Sequence, residues 1–125
     1  MSSVAIRGRE LWQQAAQTYQ VRTKVKQVYK IAYPTGKIYI GKDSFGSARY
    51  MGSPDPRLVN EDFKNLSEEQ RQSYSVQKEI LWQSDSATEQ ELAAKEVEFI
   101  RKYRSNDPSV GYNRWPRFRT AGNDA

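Results

Sequence analysis

Residues 28 to 42 read V-Y-K-I-A-Y-P-T-G-K-I-Y-I-G-K, two β-type runs about a turn that carry three phenols, Tyr29, Tyr33 and Tyr39. Tyrosine is a good strand former whose ring packs while its hydroxyl reaches water, so packing alone accounts for some of them. The other possibility is chemistry. A phenol of pKa about 10 is a poor base at neutral pH, but a neighbouring Lys, Arg or metal ion lowers that value and makes proton transfer feasible. On adjacent antiparallel strands Tyr29 and Tyr39 present their hydroxyls to one pocket, provided both side chains lie on the same face. Tyr33 is read as packing.

A carboxylate is the second residue out of place. At roughly 100° per residue, a helix over 88–104 puts Leu92, Ala93, Val97, Phe99, Ile100 and Tyr103 on one apolar arc, with Glu96 near its middle. Glu91 and Glu98 fall on the opposite face, where glutamates belong. A carboxylate turned toward a core is costly unless it is paired or holds a cation. Two readings stand: a buried partner for an arginine such as Arg49, or an oxygen ligand of the kind Mg²⁺ prefers, with water or substrate phosphate in the metal's other positions.

The 125 residues contain neither histidine nor cysteine. Disulfides, thiolate metal sites and histidine bases are therefore excluded, and catalysis must run on Tyr, Lys, Arg, Asp, Glu and Asn. The net charge of +5 suits a polyanion, because Lys and Arg gain affinity by releasing counterions from phosphates. Its distribution is uneven. Arg7, Arg9, Arg22, Lys24, Lys26 and Lys30 lie early, Arg101, Lys102, Arg104, Arg114, Arg117 and Arg119 lie late, and most acids fall in 55–98. A basic cleft built from the two ends and a merely solvated surface both fit this pattern. No stretch approaches the ~20 apolar residues of a membrane span, and the polar start has no signal-peptide core, so the expectation is a cytoplasmic protein with no membrane partner.

The elements that must position these groups form one α/β (α+β) domain. Leu11, Trp12, Ala15, Ala16 and Tyr19 sit at helical spacing over 9–20, an extra N-terminal helix in an extension over 1–23. Residues 24–33 and 37–41 form a hairpin about P-T-G, and S-V-Q-K-E-I-L-W (75–82) is a third strand of a small antiparallel sheet. Short helices are expected at 45–50 and 56–65. Thr88 opens a T-x-x-E capping box, so a helix runs from there to about Arg104 with cations in its last turn. The domain spans 24–116, and a polar tail occupies 117–125.

These pieces resemble the GIY-YIG nuclease family, particularly its small phage-type members. Q27-V28-Y29 represents the first motif and Y39-I40-G41 the second, with Gln27 where the family usually has Gly. Arg49 lies eight residues after Gly41, where the family carries an arginine. The Y50-M-G-S53 run is similar to a segment of phage members, Glu96 occupies the helix glutamate in K-E-V-E-F-I, and G111-Y112-N113 matches the terminal asparagine motif.

The resemblance implies a metal-dependent DNA endonuclease on a three-stranded sheet flanked by helices. Tyr29 would take the proton of the attacking water, with Tyr39 orienting it or exchanging roles. Arg49 would bind the scissile phosphate, Glu96 would hold Mg²⁺ or Mn²⁺, and Asn113 would tether the phosphate or the tyrosine network. Where some members use histidine, this chain offers Lys37, Lys42 or Tyr74, and Lys30, Lys42, Arg114 and Arg117 are candidate DNA contacts. The alternative is a basic module on the same fold that binds nucleic acid without cutting it.

Overall fold

Two runs rich in β-branched and aromatic residues, K-Q-V-Y-K-I-A and I-Y-I-G-K-D, form β1 (Lys26–Ala32) and β2 (Ile38–Asp43) about the expected turn. The computed structural model of the protein describes residues 25–119; the helix expected over 9–20 and the tail from Thr120 lie outside them. β3 (Gln77–Ser84) pairs with the other side of β1, giving a three-stranded antiparallel sheet in the order β2-β1-β3.

Alternation along β1 and β2 divides the core into two layers. Val28 and Ile40 face α3 (Glu89–Tyr103), where Leu92 and Ile100 are buried against them. Tyr29, Ile31 and Tyr39 face the other way and are covered by Tyr112 and by Leu58 and Val59 of α1 (Pro56–Lys64). β3 joins both layers through a bulge: Val28 pairs with Trp82 but Tyr29 pairs with Ile80, which leaves Leu81 as the extra residue. Leu81 and Trp82 consequently both pack against the α3 layer, while Lys78 falls on the tyrosine side.

The capping box at Thr88 is formed in both directions, Thr88 accepting from the Glu91 N–H and Glu91 accepting from that of Thr88. Arg104 ends the helix in the left-handed region with φ 57°. The helix expected at 45–50 is not formed. Buried Asp43 takes the Phe45 N–H at 2.8 Å and the Ser47 N–H at 2.6 Å, and those bonds wind the chain into a loop instead. An unexpected helix, α2 (Glu68–Gln72), follows Ser67, whose capping box with Gln70 was visible as S-x-x-Q.

β2 is an edge strand, and an irregular segment closes it. Ile38 donates to the Val110 carbonyl and accepts from the Tyr112 N–H, making a parallel bridge with Gly111. One step further the side chain of Asn113 takes over from backbone: its Oδ1 accepts from Ile40 N–H at 2.8 Å and its Nδ2 donates to the Ile40 carbonyl at 2.7 Å. Both ends of the amide are thereby satisfied by the strand that carries Tyr39. Among the described residues, no helix is long and apolar enough to cross a membrane.

Behind the turn a polar chain fixes α1. The Tyr112 hydroxyl donates to Asp62 at 2.9 Å and shares a 2.6 Å bond with Thr35, and Asp62 also takes the Lys37 ammonium at 2.8 Å. Burial raises the Asp62 carboxyl, but the hydrogen bonds from Lys37 and Tyr112 and the Lys37 charge outweigh it, so it titrates below its ordinary value. Tyr112 is pushed up to about 12 by burial and by Asp62. A depressed carboxyl contributes stability that is fully present above its ordinary value and is lost as pH falls through the folded one. Asp62→Asn should therefore unfold more easily at pH 7, by about 1 to 2 kcal/mol, with the gap to wild type closing in strong acid. Thermal unfolding of both proteins across pH checks this.

Candidate active site

Glycine makes the site possible. Tyr29 pairs with Gly41 across β1 and β2, and its ring lies over that residue. A Cβ at Gly41 would collide with the Tyr29 Oη and stand 2.5 Å from its Cζ. Gly52 comes down from the other side at φ 74°, where a Cβ would strike the Tyr29 hydroxyl and the Tyr39 ring. The two phenols thus share one face, their ring centroids 6.4 Å apart, with their hydroxyls converging on Gly52.

Their environments differ. Tyr29 is fully buried, and its Oη has no hydrogen-bond partner among the described residues. Tyr39 is 8% exposed, and its Oη accepts the Ser53 N–H at 3.0 Å, which leaves its own proton free to donate. Neither phenol is acidified. Burial drives Tyr29 far above its ordinary value, reinforced by Tyr39, Tyr50, Asp43 and Glu96. Burial also raises Tyr39, where the Ser53 N–H and Arg114 pull down while Glu96 and Tyr50 push up. A nearby cation was expected to lower these values; desolvation outweighs it.

Glu96 reaches the same place from the opposite layer. β2 separates Tyr39 from the α3 face, but Tyr39, Ser53, Glu96, Asn113 and Arg114 line one cavity of about 240 Å³ around the outer edge of that strand. The Glu96 carboxyl is raised by burial, against the charge and backbone N–H of Lys42. Among the described residues it makes no ion pair with Arg49, so the structural pairing weighed for these two is not what holds the carboxylate. No group of three potential metal-ligating side chains occurs among the described residues. One half-buried carboxylate facing a cavity beside a phenol fits a hard cation that keeps most of its waters, and Glu96 would hold it.

Arg49 is exposed and stands next door. It borders a cavity of about 560 Å³ with Lys42, Asp43, Phe45 and Tyr50, on the loop that Asp43 winds. Two residues that sequence reasoning missed secure this loop. Asp43 holds its start, and Lys78 donates to the carbonyls of Ser47 at 3.0 Å and Tyr50 at 2.8 Å while its ammonium lies 4.4 Å from the Tyr29 ring centroid. Burial lowers the Lys78 ammonium against the opposing pull of Asp43. Asp43-Ser44-Phe45 carries an Asx-turn signal, whereas the role of Lys78 depends on the bulge in β3 and has no local signature.

The remaining candidates separate. Lys42 lies between the two cavities, beside Glu96 and bordering that of Arg49. Lys37 is committed to Asp62, and Lys30 pairs with Glu79 at 3.3 Å over the Tyr103 ring. Tyr74 packs edge-on against Phe63 and lines neither cavity. Asn113 is expected to tether the phosphate or the tyrosine network; its amide atoms are both engaged on the backbone of the strand that carries Tyr39. Arg114 lines the cleft, and Arg117 borders a further cavity beyond it.

Two substitutions test the glycine and phenol packing. Tyr29→Phe removes a buried hydroxyl without a partner and should raise the unfolding temperature, a gain of about 1 kcal/mol. Gly41→Ala forces the Tyr29 ring out of place and should cost about 1 to 3 kcal/mol, with a change in the near-ultraviolet tyrosine signal. No known family model, curated protein or solved structure matches this chain.

Proposed function

We propose that the chain is a metal-dependent DNA endonuclease of the GIY-YIG type, hydrolysing phosphodiester bonds at the outer edge of β2. The observation that carries this reading is that Tyr39, Glu96 and Arg114 line one cavity, with the Tyr29 ring packed against Tyr39 and Arg49 on the loop that follows β2. Arginines on two sides suit a phosphodiester whose charge grows as water attacks phosphorus. Held at Glu96, Mg²⁺ or Mn²⁺ would polarise a phosphoryl oxygen.

Tyr39 is better placed than Tyr29 to handle the proton of the attacking water. Its oxygen accepts a backbone N–H, which favours the phenolate, and it borders the cleft, whereas the Tyr29 hydroxyl is sealed beneath. Tyr29 then shapes the floor against which Tyr39 is held. Tyr39 takes the proton of the water, the P–O bond to the leaving strand breaks as the new P–O bond forms, and the departing oxygen takes up a proton from solvent.

A second reading, a basic module that binds nucleic acid without cutting, draws support from the raised tyrosines and from Arg49 lining a separate cavity. Supercoiled plasmid decides between them. Nicking that requires Mg²⁺ and is lost in Tyr39→Phe and Glu96→Gln supports the enzyme; binding without nicking under all metals tested returns the binding module. Arg49→Ala should slow cleavage far more than it weakens DNA binding, because many cations share the nonspecific contacts.

The pH dependence follows from the directions of the shifts. With Tyr39 raised above 10, the phenolate fraction grows tenfold per pH unit across neutrality, so the cleavage rate should climb with slope one from pH 7 to 9. A plateau in that range would assign the base elsewhere. Glu96, also raised, disfavours folding while ionised: the penalty is present above its folded value and absent below its ordinary 4.5. Glu96→Gln should melt above wild type at pH 7 and level with it near pH 3, and metal should raise the wild-type melting temperature alone.

A further inference from the structure

The strongest unexplained surface lies beyond the cleft, where α3 ends and the chain runs past it. Arg101 and Arg104 from the helix meet Arg117 and Arg119 from the irregular segment around a cavity of about 540 Å³, with Trp115 and Phe118 between them. A helix C-terminus attracts cations, which accounts for Arg101 but not for two arginines on a segment that is not helical. Among the described residues one carboxylate answers them: Arg104 meets Asp107 at 3.3 Å, and Arg101, Arg117 and Arg119 make no ion pair there.

The aromatic groups are arranged for stacking. Phe118 lies under the Arg104 guanidinium at 5.6 Å from its ring centroid, and the Asn106 amide fixes the segment by donating to the Pro116 carbonyl at 2.6 Å. Trp115, by contrast, is 73% exposed. A large apolar ring left in water amid arginines is poorly explained by folding, since burial would be worth several times what its position realises. Trp115 lines both the arginine groove and the Tyr39–Glu96 cleft, so the two adjoin at this residue.

We propose that this groove binds an unpaired stretch of DNA, its phosphates on Arg101, Arg104, Arg117 and Arg119 and one base stacked on Trp115. Paired bases keep their faces covered by their neighbours, so a stacking platform is usable only by a strand that has left the duplex. The substrate class therefore narrows from DNA in general to DNA with a single-stranded segment beside the scissile phosphate, as at a branch, flap or mismatch. This rests on the nuclease reading for the position of the cut, but not for the binding itself.

Fluorescence anisotropy in EDTA tests it, with a short oligothymidylate and a blunt duplex of the same length as probes. Trp115→Ala should weaken the single strand about 5- to 100-fold while leaving the duplex within about twofold. Trp115→Phe should restore most of the loss, because a benzene ring still stacks. Arg117→Ala and Arg119→Ala should weaken both probes and flatten the salt dependence for the single strand by about 0.7 per contact. Wild type should show tryptophan quenching on strand binding that Trp115→Phe lacks, Trp12 and Trp82 remaining in both. Thermal melts of the variants confirm folding.

For Trp115→Ala, equal losses for both probes, or none for either, overturn the proposal. So does duplex binding that depends on Trp115 as strongly as single-strand binding. The outcomes stay distinct from the test of catalysis: a chain that binds the strand through Trp115 but never nicks keeps the groove and loses the nuclease. One that nicks plasmid while Trp115→Ala binds the strand normally keeps the nuclease and loses the groove.

Discussion

Everything at the site depends on how the outer edge of β2 is satisfied. An edge strand exposes N–H and C=O groups that must find water or a partner, and bare edges invite pairing with other chains. Here residues 110–113 run alongside, first with backbone at Ile38 and then with the Asn113 amide at Ile40. A continued backbone ladder would have covered the place where Tyr39 and Glu96 meet. Substituting a side chain for the last rung satisfies the strand and lets the chain turn away, carrying Arg114 and Trp115 to the rim of the opening. Closure of the sheet and construction of the cleft are thus one event.

The second constraint is steric and sits beneath the first. A full tyrosine ring lies across β2 only because Gly41 has no side chain, and it meets its neighbour only because Gly52 approaches from above. The arrangement buries a hydroxyl without a partner among the described residues, an expense that a structure selected only for stability would avoid with phenylalanine. Glu96 and Lys78 are likewise held partly desolvated, each with its charged form disfavoured by burial. Groups held at such a cost, close to one another, are what the proposed site would need.

Local signals gave the hairpin, the helix with its Thr88 capping box and the anomaly of Glu96, because each is written in residues a few positions apart. Helical periodicity was enough to place a glutamate against the sheet without knowing what lay opposite. The 45–50 stretch misled because Asp43, just outside it, ties the Phe45 and Ser47 N–H groups into a loop in which Gly46 takes the left-handed conformation at φ 63°, which a right-handed helix cannot include. The bulge in β3 was illegible: nothing in Q-K-E-I-L-W says that Leu81 is the extra residue, so nothing could say that Lys78 lies over Tyr29. The separation of Arg49 from Glu96 was equally hidden, since both sit at spacings consistent with contact.

The bond between Ile40 and Asn113 spans 73 positions, and that distance has a temporal meaning. Hairpin and capped helix draw on near neighbours and can form as soon as their residues exist, whereas contacts of long sequence separation must wait for loop closure. A partly assembled chain can therefore own its sheet, its tyrosines and its glutamate and still lack a cleft. Until the segment after α3 docks, the outer side of β2 is an open strand, which is both a hazard for aggregation and a safeguard: the groups of the proposed site come together only in the finished fold.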